Sequence, residues 1–164
     1  MIDIHLSELP SGIKKLLSIF LIVLTVGFIS GLDFVHFNTG GKPSGVTEHY
    51  LGNESDEEAV VMKFKKSEKS ILNTIHSHMI SMAMIFLILG LLLYLARLNY
   101  LLKMILIIEP FLSVLITFGG LYFLWKGIEW MSYVVMISGI LMTLSYFISV
   151  LIIFAQILRK RTAG

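Results

Sequence analysis

The sequence contains no cysteine, and only 15% of its 164 residues are charged. The first absence excludes a disulfide framework, a thiolate zinc site, an iron–sulfur cluster and covalent c-type haem attachment. Any metal or haem would have to be held by His, Met, Asp or Glu. The second absence argues against a soluble domain, whose surface needs more charge than this. A net charge of +2, spread over loops, also gives no reason to expect a nucleic-acid partner. No Gly-rich phosphate loop, nucleophile elbow or HExxH motif is present, and there is no internal repeat or low-complexity tract.

What fills the chain instead is apolar: 56% of residues are hydrophobic. They gather into four runs, about 16–36, 71–96, 100–125 and 130–158. Each is long enough to cross a bilayer core of about 30 Å. The predicted fold is an all-α, four-helix transmembrane up-down bundle, a single membrane domain over 1–164. The connections between the last three runs are short, which makes neighbouring spans antiparallel hairpins. The first run follows a lead carrying Lys14 and Lys15, as a signal peptide would. It is read as a retained span, because it is longer than a usual signal core and lacks a clear small-x-small cleavage site.

Lysine and arginine near the span ends set the expected orientation. The lead Lys14-Lys15 and the trailing Arg159-Lys160-Arg161 abut the membrane on one side, which places both termini in the cytoplasm. The segment 37–70 then forms a structured outer loop. Its first part, FNTGGKPSG, is turn chemistry. Its second, Ser55 to Lys69, reads as a helix with a Ser55/Glu58 capping box that runs on into the second span. Trp125 and Trp130 flank the other outer connection, as an interfacial aromatic belt would.

Helical spacing sorts the polar residues onto faces. On the fourth run Ser138, Ser145, Ser149 and Gln156 share one stripe, with Met131 and Met142 beside it. On the third, Glu109, Ser113 and Gly120 share a face bordered by Thr117. On the first, Ser18, Thr25 and His36 align, with Asp33 off to one side. Such faces turn toward the bundle interior, where small residues let backbones approach and hydroxyls find partners.

Two constellations carry candidate chemistry. His36, His49, His76 and His78 fall near one membrane boundary, with Asp33 and Glu48 close in sequence. His36 paired with His76 or His78 could ligate a b-type haem axially, the carboxylates orienting a ring nitrogen. His76 and His78 stand about 160° apart on a regular helix, so the two cannot hold one ion together. The same set could hold a divalent ion, or copper with nearby methionines; interfacial histidine with no cofactor is the simplest reading. The second constellation is Glu109-Pro110. An ionisable group inside a span is costly and is a functional hypothesis by default. Glu109 is a candidate proton acceptor, beside a quinone or at the foot of a polar path, or a carboxyl bonded to Gln156 or drawn toward Lys103.

The stretch EHYLGNESDEEAVVMKFKKSEKSILNTIHSHMISMAMIF resembles the most characteristic part of a group of small, uncharacterised bacterial four-span inner-membrane proteins. The matching residues are Glu48, His49, Tyr50, Gly52, Asn53, Glu54, Lys63 to Glu68, His76 and His78. Some members carry an elongation-factor label, which does not suit a chain with no GTP-binding loop. The resemblance covers about a quarter of the chain. It implies a four-span topology and a bacterial inner-membrane location, and it brings no known chemistry. The leading expectation is thus a membrane protein with an outer-leaflet histidine site for haem or metal, linked to quinone electron transfer or a membrane redox complex. The alternative is a non-catalytic accessory subunit of a membrane complex. Self-association into a homo-oligomer and metal or proton transport are further expectations.

Overall fold

The computed structural model describes residues 5–54 and 61–159. A 3-10 turn at Leu6–Glu8 precedes five helices: α1 (Ser11–Thr39), α2 (Pro43–Leu51), α3 (Glu68–Tyr94), α4 (Tyr100–Trp125) and α5 (Met131–Leu158). The expected spans are therefore present as α1, α3, α4 and α5, each long and apolar enough to cross a membrane. Their ends lie where local chemistry puts them. Asn99 caps α4 by accepting from the Leu102 amide, and Ser67 caps α3 by accepting from Ser70. Gly40, at φ 61°, closes α1 by donating its amide to the His36 carbonyl.

The core of the bundle is α3, α4 and α5. The α4–α5 hairpin packs most closely, and α3 lies along α4. Leu89, Leu93, Leu124, Tyr146 and Ile153 are all fully buried there. Gly120 permits the approach of α4 to α5: a Cβ at that position would stand 3.1 Å from the Val135 side chain. Span α1 leans on α5 from outside this triangle. It buries only Leu21, Phe28 and Thr39. Its main anchor is aromatic, Phe28 stacking flat on Tyr146 of α5 with ring centroids 3.8 Å apart.

The segment 40–67 differs from expectation. Residues 55–60, which include the expected capping pair Ser55 and Glu58, lie outside the described residues. Residues 61–67 are an extended strap and not a helix, and α3 starts only at Glu68. The cause is competition for backbone groups. The Lys66 amide donates to the Tyr50 carbonyl, the Lys63 amide to Asn53 Oδ1, and the Asn53 amide to the Lys63 carbonyl. These bonds tie the strap to the end of α2 and leave no local ladder to build. Helix α2 itself was not foreseen. Pro43 occupies its first turn, where the missing N–H costs nothing, and Gly45 lets that turn sit on the end of α1. A Cβ on Gly45 would fall 1.8 Å from the Thr39 carbonyl oxygen.

Together α2 and the strap form a cap over one end of the bundle, the end farther from the chain termini. Trp125 fixes it by donating its indole N–H to the Lys66 carbonyl over 2.7 Å. Trp125 is thereby buried, unlike the interfacial residue expected; Trp130 does stand exposed. The opposite, terminal end is closed by the 3-10 turn. Leu6 is fully buried and its amide donates to the Leu95 carbonyl.

Candidate functional site

Glu109 lies about 14 Å along α4 from Tyr100, taking 1.5 Å per residue. Its depth is set by α4, and its direction by the face it shares with Ser113, Thr117 and Gly120. All three of those neighbours are buried against α5. The serine stripe of α5 meets this face: Ser138, Ser145 and Ser149 are buried, as their spacing predicts. Glu109 Oε1 accepts from the Ser113 hydroxyl one turn along α4. Glu109 Oε2 accepts from Ser145 across the helix pair. The carboxylate is thus held at both oxygens by hydroxyls, and its neighbour Pro110 is buried and supplies no backbone N–H at this level.

The expected partner, Gln156, is used elsewhere. Its Oε1 accepts from the Arg97 amide at 2.8 Å, and its Nε2 donates to the Arg97 carbonyl at 3.2 Å. Lys103 is likewise turned away, donating to the Tyr94 carbonyl. Depth separates the two candidates, since Gln156 lies about 16 Å from Ser145 along α5. Counted back from the α4–α5 connection, Ser145 is the stripe residue that falls level with Glu109. Along the same seam Thr117 and Ser138 share a hydroxyl bond of 2.7 Å, and the Ser149 hydroxyl donates to the Ser145 carbonyl. On the α1 side Thr25 meets the Tyr146 hydroxyl at 3.2 Å. Among the described residues, no buried side-chain nitrogen or oxygen is left without a partner.

A serine hydroxyl both donates and accepts. It can give its proton to an ionised carboxylate, or rotate to accept from a protonated one. Two hydroxyls on two oxygens therefore keep Glu109 bonded in either state. The hydroxyl groups do not form a continuous wire: Ser138 and Ser145, like Ser149 and Gln156, are about 10 Å apart along α5.

The histidines take separate places. His36 is exposed at the end of α1, with its Nδ1 close to Gly41. Asp33 is exposed one turn earlier. His76 is exposed on α3. His78 is also exposed; its Nδ1 lies 2.9 Å from the Thr74 carbonyl, and its ring leans on Phe118 of α4 at 5.5 Å. His49 sits half-buried on α2, edge-on to Tyr50 at 4.8 Å. Burial is the main force lowering its pKa from the usual histidine value, helped by the charges of Lys66 and Lys63. Burial likewise raises the pKa of the Tyr50 phenol. Glu48 pairs with Lys63 at 3.3 Å. Among the described residues no three His, Asp or Glu side chains are grouped so as to hold a metal ion. What sequence reasoning missed at this end is the cation–aromatic stack: Lys65 and Lys126 both lie over the Trp125 ring, at 5.1 and 4.7 Å.

A family model described as a transmembrane helical domain matches residues 40–164, and the chain belongs to that family. The match takes in α2 through α5 and begins where α1 ends. No curated protein and no solved structure matches the chain.

Proposed function

We propose that this member of the transmembrane helical domain family handles protons inside the membrane, with Glu109 as the group that takes up and releases them. One observation carries the reading: both carboxylate oxygens are held by rotatable hydroxyls, Ser113 on the same helix and Ser145 on its partner. Ser145 and Ser113 are positioning residues, and Glu109 is the exchanging group. A lipid-soluble proton carrier such as a quinone is the matching substrate class, since a carboxylate at this depth meets acyl chains rather than bulk water. Infrared difference spectra across a pH titration test the reading. A carboxyl band that comes and goes with pH, and is missing in Glu109→Gln, supports it. A spectrum indifferent to that substitution overturns it. In proteoliposomes, a proton flux lost in the same variant would establish transport.

A second reading, an accessory subunit of a larger membrane complex, is favoured by α1. That span buries little within its own chain, and Gly27 and Gly31 have nothing within 4 Å of where a Cβ would lie. Stoichiometric co-purification of a partner, lost when α1 is replaced by a polyleucine span, would support it. The haem or metal reading has no comparable support, because His36, His76 and His78 stand exposed on the outside of their helices. A reduced-minus-oxidised visible spectrum of the purified protein decides it directly.

The same proposal places the protein in a bacterial inner membrane with both termini cytoplasmic. The basic residues flanking α1 and α5 at the terminal end support this orientation. A reporter fused to the C-terminus and active only in the cytoplasm checks it.

A further inference from the structure

Where the first turns of α1 pass the last turn of α5, the two helices part and leave an open cleft of about 420 Å³. Its rim is cationic: Lys14, Lys15 and Arg159. Its wall is apolar, built from Ile19, Ile157 and Leu158. Ile19 and Leu158 are also 63% and 66% exposed, so the wall runs without a break into the lipid-facing surface. Among the described residues, no carboxylate lines the cleft to neutralise that charge. The Lys14 ammonium is fixed by two neutral carbonyls, Ser7 at 2.7 Å and Arg159 at 3.1 Å. Glu8, the acidic residue described at this end, is paired with Arg97 at 2.6 Å.

We infer that this cleft binds an anionic phospholipid, its phosphate headgroup on Lys14, Lys15 and Arg159 and an acyl chain along Ile19 and Leu158. Three features lead to a lipid rather than a soluble anion. The cations stand at the membrane boundary, where headgroups are. The apolar wall opens sideways to the bilayer. Basic clefts between spans are the sites at which anionic headgroups are held. Lys14 is pre-ordered, so binding does not have to freeze that side chain. The lipid would also fill the gap that loose α1–α5 contact leaves. The inference is independent of Glu109 and of its chemistry.

The test uses the full chain in a neutral detergent, titrated with phosphatidylglycerol, phosphatidylcholine or inorganic phosphate, with bound lipid counted by native mass spectrometry. Phosphatidylglycerol is expected to bind and phosphatidylcholine is not. With each basic group near the surface worth about 1 kcal/mol, Lys15→Gln with Arg159→Gln should weaken binding by about thirty-fold. Lys65→Gln with Lys126→Gln removes the same charge at the cap end and should leave binding unchanged. If the first pair disturbs folding, Lys15→Gln alone, at an exposed position, should still cost about five-fold. Equal binding of the two lipids, an unchanged affinity in the rim variants, or full competition by inorganic phosphate would each overturn the inference.

Discussion

Span α1 and the α4–α5 hairpin have nearly the same mean hydropathy: 2.2 for α1 against 2.1 and 2.3. Their fates in the fold differ. α5 buries nine residues, among them four serines, whereas α1 buries three. In lipid, apolarity drives insertion and does little to hold spans together; small residues and interhelical hydrogen bonds do that. The hairpin has such residues where they meet: Gly120 facing Val135, Thr117 facing Ser138, Glu109 facing Ser145. The hydroxyls of α1 are spent mostly at home, Ser18 on the Lys14 carbonyl and Ser30 on Val26. Only Thr25 reaches another helix. The family match makes the same division, since it starts after α1.

The sharpest way to break the contrast is to remove the main anchor between α1 and the core. Tyr146→Ala empties the place where Phe28, Phe86 and Phe147 converge, and should cost about 3 kcal/mol or more in a detergent unfolding titration. Tyr146→Phe keeps the stack and loses only the Thr25 bond, about 0.6 kcal/mol. A Phe variant as damaging as the Ala one would mean that the hydroxyl, not the ring, joins α1 to the core. Next in size, Trp125→Phe removes the donor to the Lys66 carbonyl. It should loosen the strap by about 1 kcal/mol, seen as faster amide exchange at Lys63 and Lys66 with α4 and α5 unchanged. Smaller again, Ser145→Ala should cost the hairpin about 0.6 kcal/mol. Ile22→Ala, on the exposed side of α1, should stay within about 0.5 kcal/mol.

The cap adds a dependence on pH. His49 has its pKa lowered in the folded state, so the unfolded chain binds the proton more readily. Its contribution is whole above the ordinary histidine value and drains away as pH falls through the lowered one. Amide protection at Asn53 and Lys63 should therefore decline on acidification below about 6.5. His49→Gln should flatten that decline. A protection profile equally steep in the variant would place the titrating group elsewhere.

The sequence made the spans legible because a run of apolar residues longer than a bilayer has few other uses. The α5 stripe was legible too, since 100° periodicity put Ser138, Ser145 and Ser149 on one line and all are buried. Glu109 stood out as an ionisable group in a span, though its partner was misjudged: Gln156 lies about 16 Å from Ser145 along α5, and counting back from the α4–α5 connection selects Ser145. The cap was the least legible part. Acid-to-base order in 55–69 suggested a helix, but the strap takes its shape from bonds to Asn53 and Tyr50, which no local pattern encodes. The histidines were legible in height alone. Closeness in sequence to a membrane boundary fixes height and says nothing about which way a ring faces.

The contact at Gly45 joins the weakly packed span to the cap. Helix α2 rests directly on the last carbonyl of α1, so the two helices meet there without an intervening side chain. Beyond α2 the strap is pinned to Trp125 at the top of α4. Bilayers of different thickness change the tilt of a span with few packing partners before that of a close-packed hairpin.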